Sequence, residues 1–181
     1  MPASRKVTQK LKHLDRILEH IEQARKETEA KGLTFVAPTE AEIKAKLRRA
    51  NSPVIIALSC TPAVPAGGQV SHGILVYNPD PNTSRHLYGY VFVGPGNVIS
   101  DTAQALGLAD ERFPRMAMGS ASSGLGLDSG KSAWLTCCLP VPPDTAKATY
   151  LCNTFLLQVS EFSQSGSGRY LDRTLFAFEV D

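Results

Sequence analysis

The chain has 181 residues, 43% hydrophobic and 20% charged, so it is globular and can bury a sizeable core. Its net charge of +2 is unevenly spread: residues 1–52 carry 12 Lys/Arg against 7 Asp/Glu, and residues 53–181 carry 7 against 10. Acids and bases interleave in the basic part, which reads as a solvated helical face, and nucleic acid is not an expected partner. The N-terminus has no apolar signal region, and no stretch approaches the roughly 18 apolar residues of a membrane span. The expected setting is the cytoplasm, with signal-independent export left open.

Residues 4–31 contain no Gly or Pro and predict a helix that stops at Gly32. Val7, Leu11, Leu14, Leu18 and Ile21 recur in steps of four, three, four and three, a seam of a little over two heptads. So narrow a stripe must be buried, either against the chain's own domain, against a copy of itself as a short coiled coil, or in a groove of another protein. Thr39 with Glu42 forms a capping box, and Ser52-Pro53 closes a second helix over 39–51. Residues 1–52 are thus a helical arm, and its seam is the first candidate for partner binding or homo-oligomerisation.

After Pro53 the texture changes to short runs rich in β-branched and aromatic residues: 53–60, 69–77, 86–94, 132–139, 150–159 and 173–180. Pro, Gly, Asn and Asp punctuate the gaps. The expected fold is mainly β, an immunoglobulin-like antiparallel β-sandwich over 53–181 carrying an N-terminal α-helical arm. A long crossing over 95–130 has room for one short helix in "DTAQALGLADERF" and an edge strand near 114–119. The sandwich is expected to own its core and to fold without residues 1–38.

The stretch "SSGLGLDSGKSAWLT" ends in the Gly130-Lys131-Ser132 of a phosphate loop. That loop needs Gly, four residues, then Gly-Lys-Ser, and counting back from Gly130 reaches Leu125. A strand rather than a helix follows, so no helix N-terminus waits for the phosphate. The stretch "LDSGKSAWLTCCLPVPPDTAKATYLCNTFLLQV", together with "VPAGGQVSHGILVYNPDP", resembles the bacterial immunoglobulin-like repeats of the cell-adhesion-related type over about residues 60–160. The resemblance implies a sandwich used for structure or binding. "DTAKATYLC" is also similar to the immunoglobulin corner in which a Tyr two residues before a Cys bonds back across a loop, with Asp144, Tyr150 and Cys152 in place. Its partner cysteine is absent from "QVSHGILVY", so the four cysteines are read as free thiols, a Cys60–Cys152 bridge needing an oxidising compartment. Trp134 is read as core.

No Ser/Cys–His–acid set, zinc-ligand spacing or paired carboxylate motif occurs, so no catalytic, cofactor or metal site is expected. His72 and His86, in adjacent predicted strands, could meet across a hairpin and take a metal with Asp80. Loops 78–85, 95–130 and 163–170 are the other binding candidates, the last for Arg169 and Tyr170, residue types favoured at hot spots. The leading reading is a non-enzymatic assembly or adaptor protein. The alternatives are a ligand- or glycan-binding sandwich, disfavoured by tyrosines that lie mostly within strands, and an enzyme or metal protein using His72 and His86.

Overall fold

In the computed structural model, residues 3–49, 52–95, 119–158 and 169–181 are described, with the side chains of 3–11, 49, 92–95 and 119–121 excepted. Helix α1 (Ala3–Ala30) ends in a Schellman motif: Gly32 takes a φ of 72°, its amide donates to Glu29 and the Leu33 amide to Thr28. Strand β1 (Thr34–Val36) leads to α2 (Glu40–Arg49), where both capping-box bonds form, Thr39 N to Glu42 Oε2 at 2.9 Å and Glu42 N to Thr39 Oγ1 at 3.3 Å. The strands that follow are β2 (Val54–Cys60), β3 (Ala63–Val64), β4 (Gln69–Tyr77), β5 (Arg85–Pro95), β6 (Gly119–Ala121), β7 (Leu125–Leu127), β8 (Ser132–Pro140), β9 (Ala148–Gln158) and β10 (Arg169–Val180). Every long run expected from the sequence is a strand. The expected helix in 101–113 lies outside the described residues, as does the expected edge strand but for Gly119.

Two sheets form, ordered β1-β2-β4-β8 and β3-β10-β9-β5-β6, with β7 also on β5. All pairs are antiparallel except the two-residue match of β3 to β10. Strands β2-β4-β8 and β10-β9-β5 stand in the A-B-E and G-F-C orders of an immunoglobulin-like sandwich. The corner is present as well: Tyr150 Oη donates to the Ala146 carbonyl at 2.7 Å, and Cys152, two residues on, is fully buried.

The core between the sheets draws alternate residues from facing strands: Val70, Ile74 and Val76 of β4, Leu135, Cys137 and Leu139 of β8, and Phe176, Phe178 and Val180 of β10. A second apolar layer lies outside the β2-β4 sheet, where Leu14, Ile17, Ile21 and Ala24 of α1 and Ile43 and Leu47 of α2 cover Val54, Ile56, Ala57, Leu75 and Tyr77. A bulge between Ile55 and Ala57 makes this possible. It sends Ile55 and Leu58 to the inner core and both Ile56 and Ala57 to the helices. The bulged Ile55 amide donates to Asp172 Oδ2 at 2.8 Å, and Lys46 Nζ lies 2.7 Å from the same oxygen, tying α2, β2 and β10 together.

The helical seam departs from the expected one. The buried face runs through Leu14, Ile17, Ile21, Ala24 and Thr28, while Leu18 is 36% exposed. The heptad pattern is real but its phase shifts after Leu14, because the wide sheet surface below selects Ile17 rather than Leu18. Leu14 and Ile21 are spent on the chain's own sandwich; the side chains of Val7 and Leu11 lie outside the described residues. Residues 1–52 and 53–181 therefore share one apolar cluster, and the expectation that the sandwich folds without residues 1–38 does not suit this packing.

Candidate functional site

The β1-β2-β4-β8 sheet has its outer face roofed by helices, so the outer face of the other sheet is the one to inspect for binding. The strand registers stack residues in rows across it: Tyr170, Leu157 and Tyr88; then Arg173, Phe155 and Tyr90; then Leu175 and Asn153. Tyr170 is 56% and Leu175 48% exposed, and Tyr88 and Tyr90 are half-buried. Tyr170 meets Phe155 edge to face at 6.2 Å between ring centres. Asn153, beside Leu175, is buried and its Nδ2 has no hydrogen-bond partner. Burial and the Asp172 carboxylate raise the Tyr170 phenol above its ordinary value. Arg169, at the strand's first position, is exposed. Of the residues singled out from the sequence, Tyr170 lies on this face, and its loop neighbours 163–168 are outside the described residues. Tyr88, Tyr90 and Leu175 carry no motif. Their one signal is the outward phase of alternation in β5 and β10.

His72 and His86 do not meet. Strands β4 and β5 belong to different sheets, so there is no hairpin between them. His72 points into the inter-sheet core, 1% exposed, with Nδ1 2.9 Å from the Ser59 carbonyl and Nε2 2.8 Å from Thr154 Oγ1, and it stacks on Phe176 at 3.8 Å. Desolvation pulls its pKa down to about 4 against the opposing Ser59 bond. It is a neutral polar bridge between the sheets. His86 is exposed on β5. Asp80 instead pairs with Arg85 Nη2 at 2.6 Å. The Asn82 amide, and then Arg85, hold its carboxyl below the ordinary range. Among the described residues no cluster of three His, Cys, Asp or Glu could hold a metal ion.

The loop 78–85 is braced rather than open: Asn78 Nδ2 donates to the Thr83 and Leu127 carbonyls at 2.9 Å each, and Ser84 Oγ to Asp128 at 2.6 Å. The Gly130-Lys131-Ser132 stretch is a turn into β8, with Gly130 at φ 69° and its amide bonded to Asn78. Helix α1 lies against this turn. Ser132 Oγ is 2.7 Å from His20 Nδ1, and Tyr77 Oη is 2.6 Å from His13 Nδ1. Among the described residues no carboxylate hydrogen-bonds His20, so the Ser–His contact lacks the orienting acid of a triad. Burial first, then the Arg16 charge, lowers both imidazole pKa values; Lys131 adds to this at His20 and Glu19 opposes it.

The geometry thus defines an immunoglobulin-like β-sandwich with one helix-roofed sheet and one sheet that carries tyrosines on its outer face. No model of a known protein family matches the sequence, and no curated protein matches it. Among solved structures the chain is similar to the C-terminal domain of wzt, at 11% identity over 82% of this chain and 78% of that one, with a TM-score of 0.52. A sporulation control protein of Bacillus subtilis, Spo0M, is similar at 9% identity over 73% of this chain and 50% of that one, with a TM-score of 0.41. A CARDB domain of Pyrococcus furiosus, solved in complex with di-metal ions, is similar at 10% identity over 71% and 90%, with a TM-score of 0.40. The likeness to the wzt domain is one of fold alone.

Proposed function

We propose that this chain is a non-enzymatic binding module of a protein assembly, and that it engages its protein partner through the outer face of the β3-β10-β9-β5-β6 sheet. The observation that carries this reading is the exposure of Tyr170 and Leu175, 56% and 48%, on the outer face of the sheet that the two described helices do not cover. Tyrosine and arginine on a flat β surface supply rigid contact area at low entropic cost, and Arg169 and Arg173 flank the tyrosines. The pattern resemblance to cell-adhesion-related repeats supports the same class. The role of the helical arm is then to close the opposite sheet.

A second reading, a glycan-binding face, is favoured by one observation: Tyr88, Tyr90 and Tyr170 stand on the same side of one sheet, where rings can stack on sugars. The test is a Tyr170→Ser, Leu175→Ser double variant. Cross-linking to partner proteins and solution mass should both change from wild type, with affinity weakened about tenfold or more per lost hot spot. Binding on a glycan array that the same variant abolishes would move the assignment to the second reading. A variant that keeps every wild-type partner, mass and glycan refutes the face altogether.

A further inference from the structure

The corner where α1 crosses the β7–β8 turn gathers basic groups from two elements. A Cβ at Gly130 would come within 2.9 Å of Arg16 Nη1, so the guanidinium rests directly on the turn, and its charge acts on the Tyr77 hydroxyl. Lys131, the next residue, is exposed and acts electrostatically on His20. Among the described residues no carboxylate stands within ion-pair distance of Arg16 or Lys131.

The hydrogen bonds also orient the imidazoles. Tyr77 Oη lies 2.6 Å from His13 Nδ1, and Ser132 Oγ lies 2.7 Å from His20 Nδ1. The rings of His13 and His20 stand 5.8 and 6.1 Å from the Tyr77 ring, on either side of Arg16 in the helix. A guanidinium and the His20 imidazole thus lie on the turn that carries the Lys131 ammonium, with Glu19 as the acid acting on His20.

We propose that Arg16, His20 and Lys131, seated on the Gly130 turn and backed by Ser132 and His13, form a binding site for a phosphate group. The chemistry is that of charge-assisted hydrogen bonds to a compact anion, with arginine and lysine as donors of the kind that take phosphate. It is not a phosphate loop: a strand follows Ser132, and the cations come from a helix flank and a turn. The site is separate from the tyrosine face.

The experiment follows the His13 and His20 imidazole resonances of the full chain during titration with inorganic phosphate, ionic strength being held with chloride. Saturable shifts of both rings are expected, and Arg16→Gln and Lys131→Gln should each weaken the fitted affinity about tenfold, the loss of one charge-assisted bond. Sulfate, whose charge is constant across the range, should bind more tightly at pH 5.5 than at 7.5. Protonation of His13 and His20 adds charge, opposed by Arg16 and Lys131 and favoured by Glu19. Vesicles containing phosphatidic acid give the source: capture that free phosphate reverses marks a lipid headgroup, and no capture marks a soluble phosphate. Shifts that do not saturate, or that match those in chloride, overturn the site. So does wild-type affinity in Lys131→Gln, an exposed position whose substitution leaves the fold intact.

Discussion

Replacing Ile17 by Ala and, separately, Leu18 by Ala tests how α1 is seated. The heptad steps in the sequence put Leu18 in the seam, whereas the structure buries Ile17 completely and leaves Leu18 36% exposed. Ile17 belongs to the cluster that α1 shares with Ile56, Leu75 and Tyr77, so truncating it removes buried methyl groups and leaves a cavity against a sheet that cannot collapse. Such a change costs about 2–5 kcal/mol, less a few tenths regained from alanine's helix propensity. For a chain of this size each kcal/mol moves the melting temperature by about 2–4 °C, so Ile17→Ala should melt roughly 4–20 °C lower. Leu18→Ala should stay within about 1 kcal/mol of wild type, as partly exposed positions do. Urea denaturation of the two variants, with hydrogen exchange along α1, gives the comparison. Equal losses, or a larger loss at Leu18, would restore the 7-11-14-18-21 seam and refute the docking described above.

Deletion of residues 1–38 should yield an aggregating or strongly destabilised product, because it strips α1 from Val54, Ile56, Leu75 and Tyr77; a soluble truncated chain with wild-type melting would show that α2 alone suffices. Thiol labelling of the folded protein should be fast at exposed Cys138 and slow at Cys60 and Cys137, whose thiols burial pushes up to about 11, and at Cys152, whose thiol burial raises well above its ordinary value; four equal rates would contradict the packing. His72 stays neutral in the fold, with its pKa pulled from 6.5 to about 4, so its contribution is full above pH 6.5 and is lost as pH falls from 6.5 toward 4. The loss should reach about 3 kcal/mol at the low end, and His72→Gln should flatten that part of the stability profile; an unchanged slope would place the titration elsewhere.

Much of the fold was legible because the strands announce themselves. "QVSHGILVY" is β4 to the residue, and the capping box and Gly32 set the helix ends within a residue or two. The short pieces β1, β3 and β7 were missed: two or three residues have no period to read, and only pairing with a longer strand makes them strands. His72 and His86 were placed together because sequence neighbours usually pair; here the chain crosses from one sheet to the other between Tyr77 and Arg85, behind the braced Asn78 loop. The tyrosine face stayed hidden for a related reason. A strand tyrosine looks the same in sequence whether it faces in or out, and only the neighbour's register decides it.

Strands β2 and β4, which lie under the helices, differ in pattern from β10 of the other sheet. "VIIALSC" is buried at every position and "QVSHGILVY" nearly so, since each has a core on one side and a helix on the other. "RTLFAFEV", by contrast, alternates, with Phe176, Phe178 and Val180 buried and Leu175, Ala177 and Glu179 exposed. In β2 and β4 a continuous apolar run goes with helix cover, and in β10 alternation goes with an outward face, although β8 of the roofed sheet alternates and β9 of the other is buried from Cys152 to Leu156. On that outward sheet a polar or charged residue is the default, and at Glu179 the default holds. Tyr170, packed edge to face on Phe155, and Leu175 depart from it together on one face. Neighbouring exposed apolar side chains mark an interaction surface more than a single one does, and the binding face proposed above gives these two a use.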